Sequence, residues 1–186
     1  MKELIIVGGP NGSGKTTFAK QLLEETDFVF LNADEIKVEM KNSDQMAGRE
    51  FFKRVDYLLK NENKIMIEST LSGKYLINLI KKAKQNGFSI RLIYLFLQSA
   101  EDCIQRIKLR VLLGGHQISD EDVKRRFIRS KVNFWLIYKN ISDTWIMYSN
   151  SSKDGPQKIA FGEMDNYIVE LDELFTSFLT SIKYAG

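Results

Sequence analysis

The sequence predicts a three-layer α/β fold: a five-stranded, mostly parallel sheet with helices on both faces, a late antiparallel hairpin strand and a lid segment. Three features carry that prediction. Short apolar runs alternate with segments whose apolar residues recur at helical spacing, the pattern of parallel strands joined by crossover helices. One run, Ile90 to Leu97 (IRLIYLFL), is apolar almost throughout, as a strand covered on both faces must be. The first run ends in a glycine-rich loop that opens onto a helix-forming stretch.

Taken in order, residues 3–8 (ELIIVG) read as a buried strand, and Thr16 to Thr26 as a helix with Phe18, Leu22 and Leu23 on one side. Phe28 to Leu31 is the second strand, which Asn32-Ala33-Asp34-Glu35 leaves. Asp44 to Leu59 carries Met46, Phe51, Phe52, Val55, Leu58 and Leu59 at helical spacing. Lys64 to Ile67 forms the third strand, closing on Glu68-Ser69-Thr70, and a helix from Lys74 to Gln85 stops at Asn86-Gly87. After the strand at Ile90 to Leu97, Ser99 and Asp102 form a capping pair that opens a helix to Leu113, which Gly114-Gly115-His116-Gln117 breaks. Ser119 caps a long helix to Lys139. Thr144 to Tyr148 is the fifth strand, Asp154-Gly155 a hairpin turn, Lys158 to Phe161 its partner, and Met164 to Tyr184 an amphipathic helix. No linker or repeat interrupts the 186 residues, so one domain is expected, with a lid at about 106–130.

Composition narrows the function. A net charge of +3, with basic residues scattered among carboxylates, argues against a nucleic-acid binder, which gathers its charge on one face. No apolar run reaches the ~18 residues that span a bilayer, so no membrane association is expected. Cys103 is the only cysteine and excludes an internal disulfide. With no signal-peptide pattern at the N-terminus, a cytoplasmic setting is the default expectation. One histidine and one cysteine are too few for a zinc site.

The chemistry lies in Gly9-Pro10-Asn11-Gly12-Ser13-Gly14-Lys15-Thr16, a full match to G-x-x-x-x-G-K-[ST] with a strand before and a helix after. A random chain of this length would show the pattern about 1% of the time. Glycines let the backbone curl so that its N–H groups face phosphate oxygens, and the helix end adds its dipole. Lys15 is expected to reach the β- and γ-phosphates and Thr16 to bind Mg²⁺, with Thr17 completing the loop. The cofactors expected are therefore ATP and Mg²⁺, and the fold becomes that of a P-loop NTPase or kinase.

A GTPase would show N-K-x-D after a late strand. The pair Asn63-Lys64 precedes a strand and lacks the aspartate. A compact α/β domain with arginines beside a flexible glycine pair suits a small-molecule kinase, whose lid excludes water and brings cations to the transferring group. Asp34, leaving the second strand at the edge where the phosphate loop lies, is the first choice to orient a hydroxyl and take its proton, with Glu35 as its substitute. Its plain structural alternative is an N-cap of the following helix. Glu68, at the end of the third strand, is assigned to the Mg²⁺ shell or to substrate hydroxyls, and Thr70 beside it to the acceptor. Arg106 and Arg110 share one helix face, and Arg125 or Arg126 shares a face with Arg129. Closed over the site, Arg106 would serve the nucleotide, Arg110 and Arg126 the transferring phosphoryl, and Arg129 the substrate. His116 and Arg49 are further substrate candidates. Asn150, leaving the fifth strand, is placed at an adenine edge.

These residues resemble a known family. GGPNGSGKTT, LNADEI, IESTLSG, RIKLRV with GGH, RRFIRS and the late strand ending YSNS are together similar to the zeta toxin family of P-loop kinases, over roughly Leu4 to Phe161. The resemblance implies phosphorylation of UDP-N-acetylglucosamine at a sugar hydroxyl. Asp34 falls on the family's base, Glu68 on a substrate contact, and Arg106 or Arg110 on a phosphate-contacting lid arginine. It also admits an antitoxin protein as partner. Two rivals stand beside a metabolic kinase: a toxin of a toxin–antitoxin pair, and a nucleotide-dependent switch that hydrolyses ATP slowly.

Overall fold

The structure, a computed structural model, describes residues 1–40, 44–115 and 117–183. His116 lies outside the described residues. Strands β1 (Lys2–Gly8), β2 (Val29–Leu31), β3 (Lys64–Ser69), β4 (Phe88–Phe96), β5 (Thr144–Ser149), β6 (Gln157–Glu163) and β7 (Asn166–Val169) form one sheet in the order β2-β3-β1-β4-β5-β6-β7. The first five strands pair in parallel, as expected. The helices are α1 (Lys15–Glu24), α2 (Ala33–Glu39), α3 (Asp44–Asn61), α4 (Leu76–Gln85), α5 (Ala100–Leu112), α6 (Asp120–Asn133), the short α7 (Lys139–Ile141) and α8 (Asp172–Lys183). A π-helical stretch, Phe134–Tyr138, joins α6 to α7. No helix of the described residues is long and apolar enough to cross a membrane.

Two expectations are corrected. The sheet has seven strands, not a five-stranded core with one hairpin addition, because β6 and β7 both pair antiparallel at the far edge. The C-terminal helix begins at Asp172 rather than Met164. The run from Tyr167 to Val169 is too short to separate the two periodicities, and the turn before it decides. Met164 there takes φ 49°. Its carbonyl accepts from Trp145 Nε1 at 3.0 Å and from Lys139 Nζ at 3.3 Å, and Lys139 also pairs with Asp165 at 2.6 Å. That pinned turn sends the chain back along β6.

Alternation along the strands divides the core. On one face Leu4, Ile6, Ile65, Ile67, Leu92, Tyr94 and Trp145 pack under α3, α4, the π-helical stretch and α8. Tyr94 stacks on Phe134 of the π-helical stretch with ring centroids 4.1 Å apart and planes 7° apart. On the other face Ile5, Val7, Met66, Ile93 and Leu95 pack against Ala19, Phe18 and Leu22 of α1. A third cluster, Leu97, Cys103, Ile104, Ile107, Val123 and Phe127, holds α5 against α6, so the segment expected to form the lid has an apolar core. Cys103 is buried there, and burial pushes its thiol up to about 12.

Candidate active site

Parallel pairing brings the site together at the C-terminal ends of the strands, where open α/β sheets place their ligands. In the register of β1 with β3, Val7 lies opposite Glu68 and Gly8 opposite Ser69, so the phosphate loop leaves the sheet beside Glu68. The loop requires glycine at both ends. Gly9 has φ 148°, and a Cβ there would lie 2.0 Å from the Leu95 carbonyl oxygen. Gly14 has φ 93° as the N-cap of α1, and its Cβ would meet Asn150 Nδ2 at 2.4 Å.

Glu68 is the hub of the site. Its Oε2 accepts from Thr16 Oγ1 at 2.9 Å and from Asn32 Nδ2 at 3.1 Å, and its Oε1 lies 3.8 Å from Lys15 Nζ. Lys15 also donates to the Pro10 carbonyl at 3.0 Å. Both charged groups are buried, and burial works against each: it lowers the pKa of Lys15 and raises that of Glu68, while their mutual attraction opposes both shifts. An incoming phosphate would replace the contacts Lys15 makes to Pro10 and Glu68. The donor set suits Mg²⁺, which takes one or two protein oxygens and completes its shell with phosphates and water. Thr16 and Glu68 supply hard oxygens side by side at the loop. No trio of His, Cys, Asp or Glu gathers for a metal among the described residues.

Asp34 lies in the first turn of α2, and the cap is Asn32, whose Oδ1 accepts from Asp34 N at 2.8 Å. The Asp34 carboxylate is therefore not committed to the helix end. Asn32 escaped the sequence reading because it sits next to the more conspicuous acids. As cap and as donor to Glu68, it ties the end of β2 to the end of β3.

A cleft of about 800 Å³ gathers most of the predicted residues: Asn11, Gly12, Gly14, Lys15, Thr16, Thr17, Asp34, Glu68, Thr70, Arg106, Arg110, Arg126 and Asn150. It continues into a second cavity of about 650 Å³ between α2 and the corner joining α5 to α6. Of the remaining candidates, Gly9 and Ser13 stand in the loop without lining either cavity, Arg49 is exposed on α3, and Arg129 is exposed on α6. Arg49 and Arg129 line neither cavity. Asn150 braces the loop from behind. Its Nδ2 donates to the Ser13 carbonyl at 2.8 Å, and its own carbonyl accepts from Arg106 at 2.7 Å.

The floor beyond Glu68 is rich in hydroxyls that the sequence reading did not assign. Ser69, Ser72 and Tyr75 line the cleft with Thr70. Ser69 Oγ and Tyr75 Oη lie 2.8 Å apart, as do the hydroxyls of Thr70 and Ser72. Burial of the phenol end raises the Tyr75 pKa, with the Ser69 hydrogen bond opposing. Leu71 in this turn is buried with φ 54°, an uncommon conformation for a leucine. Its N–H donates to Ser69 Oγ at 3.1 Å and its carbonyl accepts from Asn133 Nδ2 at 2.8 Å. Tyr138 Oη donates to the Gly73 carbonyl at 2.6 Å. Partners 62 and 65 residues away leave no local signal in a sequence.

Among known proteins, the chain is 34% identical over 125 residues to a Haemophilus influenzae protein described as uncharacterized, spanning 64% of this chain and 88% of that one. The fold is shared with a chain of the AvrRxo1-ORF1:-ORF2 complex with ATP (TM-score 0.71, 15% identity, 96% of this chain), and this chain spans 63% of that chain's length. It is shared also with the PezAT chromosomal toxin–antitoxin system of Streptococcus pneumoniae (TM-score 0.63, 15% identity, 100% of this chain and 87% of that one). Shikimate kinase of Acinetobacter baumannii in complex with shikimate is similar as well (TM-score 0.53, 17% identity, 83% of this chain and 86% of that one). At these identities the likeness is one of fold. The profile of the family described as an AAA domain (AAA_33) matches residues 4–129, so this P-loop chain belongs to that family.

Proposed function

We propose that the protein is an ATP-dependent phosphotransferase, a small-molecule kinase of zeta toxin type that transfers the γ-phosphoryl of ATP to a hydroxyl of a small acceptor such as a sugar nucleotide. One observation carries this reading. The phosphate loop, the Thr16–Glu68 pair, an Asp34 whose carboxylate is not the helix cap and the lid arginines Arg106, Arg110 and Arg126 face a single cleft. Mg²⁺–ATP supplies the electrophilic phosphorus and the leaving ADP. The residues of the chain do the rest. Lys15 and the loop amides hold the phosphates, and Arg110 and Arg126 neutralise charge on the equatorial oxygens. Asp34 orients the acceptor O–H and takes its proton as the new P–O bond forms and the bond to the ADP oxygen breaks. Ser69, Thr70, Ser72 and Tyr75 offer hydroxyls to a polyhydroxylated acceptor.

The test is ADP release by purified protein from Mg²⁺–ATP against a panel of sugar nucleotides, nucleosides and small alcohols. Acceptor-stimulated release that disappears in Lys15→Ala is the expected result. Unchanged activity in that variant ends the kinase reading, and ATP binding without stimulation by any acceptor favours a switch. The whole-chain fold match to the PezAT system supports a second reading, a toxin held by an antitoxin. Growth arrest on expression, relieved by a co-expressed neighbouring gene product, would select it.

A further inference from the structure

On the side away from β2 the sheet ends in an unguarded strand. β7 is last in the strand order, and among the described residues no strand pairs with its outer side. Sheet edges are ordinarily protected by a charge, a proline, a bulge or a covering segment. β7 reads Asn166-Tyr167-Ile168-Val169, with neither charge nor proline. The one register shift of this region lies between β5 and β6, and Tyr167 and Ile168 are 40% and 59% exposed. Only the shortness of the strand limits further pairing.

The ladder decides which backbone groups face outward. Glu170 N–H donates inward, to the Ile159 carbonyl at 2.7 Å. Along an antiparallel strand, inward and outward groups alternate. Ile168, two residues earlier and opposite Phe161, therefore turns its N–H and C=O toward β6, while Tyr167 and Val169 turn theirs away from the sheet. The strand that fits these groups is β7 itself, run in reverse. Setting Ile168 against Ile168 of a second copy about a two-fold axis places Tyr167 opposite Val169 and Asn166 opposite Glu170. Each Tyr167–Val169 pair then exchanges both N–H···O bonds, and the Ile168 side chains meet at a close, non-hydrogen-bonded position, about 4.5 Å between Cα atoms.

Charge and shape favour this register. No like charges face each other in it. Asp165 is already paired with Lys139 at 2.6 Å and Glu170 with Lys158 at 2.7 Å, and the Asn166 amide can donate to Glu170 of the second copy. Either neighbouring register with matched faces sets Ile168 against a polar residue, Asn166 or Glu170. Ile168 also ends an apolar row, since Ile93, Ile146, Phe161 and Ile168 stand side by side across the sheet. Helix α1 packs over the first, and the other three line an open groove. Pairing at β7 carries that row across the axis into the second copy.

We infer that β7 is a dimerisation edge, at which two copies of this chain pair antiparallel, Ile168 on Ile168, and join their sheets into one. The axis stands perpendicular to the sheet and reverses strand direction, so the two clefts open on opposite edges of the joined sheet. The inference is independent of the nucleotide reading. Sedimentation velocity of the full chain from about 1 μM to about 1 mM should show a reversible monomer–dimer equilibrium, half-associated at about 10–100 μM because the interface is small. Ile168→Lys sets two ammonium groups face to face at an exposed position. It should weaken the dimer about 10-fold or more and leave the circular dichroism of the monomer unchanged. Residue-resolved amide exchange of the wild type reads the same edge without any substitution: the Tyr167 and Val169 amides should slow as concentration rises. A chain that stays monomeric at the highest concentration overturns the inference. So does a dimer that Ile168→Lys leaves equally tight, or one in which those two amides exchange at the monomer rate.

Discussion

Asp34 and Glu68 lie on the same sheet edge but in different surroundings. Glu68 is buried and has both oxygens engaged, by Thr16 and Asn32 on one side and by Lys15 at 3.8 Å on the other. Such a carboxylate suits organising the metal and the loop, and is badly placed to receive a proton from a substrate. Asp34 is exposed, and Asn32 relieves it of capping α2. Its side chain lines both parts of the cleft. Asp34→Asn should therefore leave ATP affinity nearly unchanged and cut phosphoryl transfer about 10²-fold or more, since the amide keeps the shape and cannot accept the proton. Calorimetry with Mg²⁺–ATPγS beside a turnover assay separates the two effects. A collapse of ATP binding would make Asp34 a metal or structural residue. The neighbouring asparagine shows why this site was only partly legible. The loop is contiguous and its chemistry is written in eight successive residues, whereas the distinction between Asn32 as cap and Asp34 as proposed base depends on which side chain turns back on the helix.

Helix α6 carries Arg126 toward the cleft on one side and buries Lys131 on another. Lys131 is 3% exposed, and its Nζ stands 4.6 to 5.3 Å from the ring centroids of Phe127, Phe96 and Phe178. It donates to Ser181 Oγ of α8 at 2.9 Å, and no carboxylate among the described residues pairs with it. Burial brings its pKa down to about 8 from an ordinary 10.5. The sign follows from linkage. Between about 8 and 10.5 the unfolded chain holds this proton more tightly than the folded one, so stability rises with pH across that window. Below about 8 both states are protonated and the buried charge weighs fully against the fold. Lys131→Met keeps the apolar length without the charge. It should raise the melting temperature at pH 7 and remove this residue's part of the rise between pH 8 and 10.5, as thermal melts at several pH values would show. A variant less stable than wild type at pH 7 would mean that the rings and Ser181 outweigh desolvation. The cap at Ser119 was legible from residue type, but the single helix expected to Lys139 ends at Asn133 and gives way to the π-helical stretch Phe134–Tyr138. The enclosure of Lys131 was not legible, because Ser181 lies 50 residues along the chain and a lysine on an amphipathic helix ordinarily faces water.

At the scale of the whole molecule, the parallel half and its antiparallel extension share one interior. The strands β1 to β5 were readable as five apolar runs, since alternation with helices leaves few other arrangements. The extension was harder to read because β7 owes its place to the turn pinned by Trp145 and Lys139. Trp145 is fully buried, with Phe134 5.9 Å away on one side and Tyr167 of β7 5.7 Å away on another, measured between ring centroids. Leu4 and Ile6 of β1, beneath the phosphate loop, belong to the same apolar cluster as Trp145, Ile159 and Phe178. We therefore expect the chain to unfold as one unit, with the C-terminal strands neither a separate domain nor an appendage. Both tryptophans, Trp135 and Trp145, sit in the C-terminal half, so their fluorescence reports that half while far-UV circular dichroism reports every helix and strand. Urea titrations followed by the two signals should superimpose, with one midpoint and one slope. A tryptophan transition completed before the dichroism begins to change would divide the chain into two cooperative units and place the extension outside the folding unit that carries the phosphate loop.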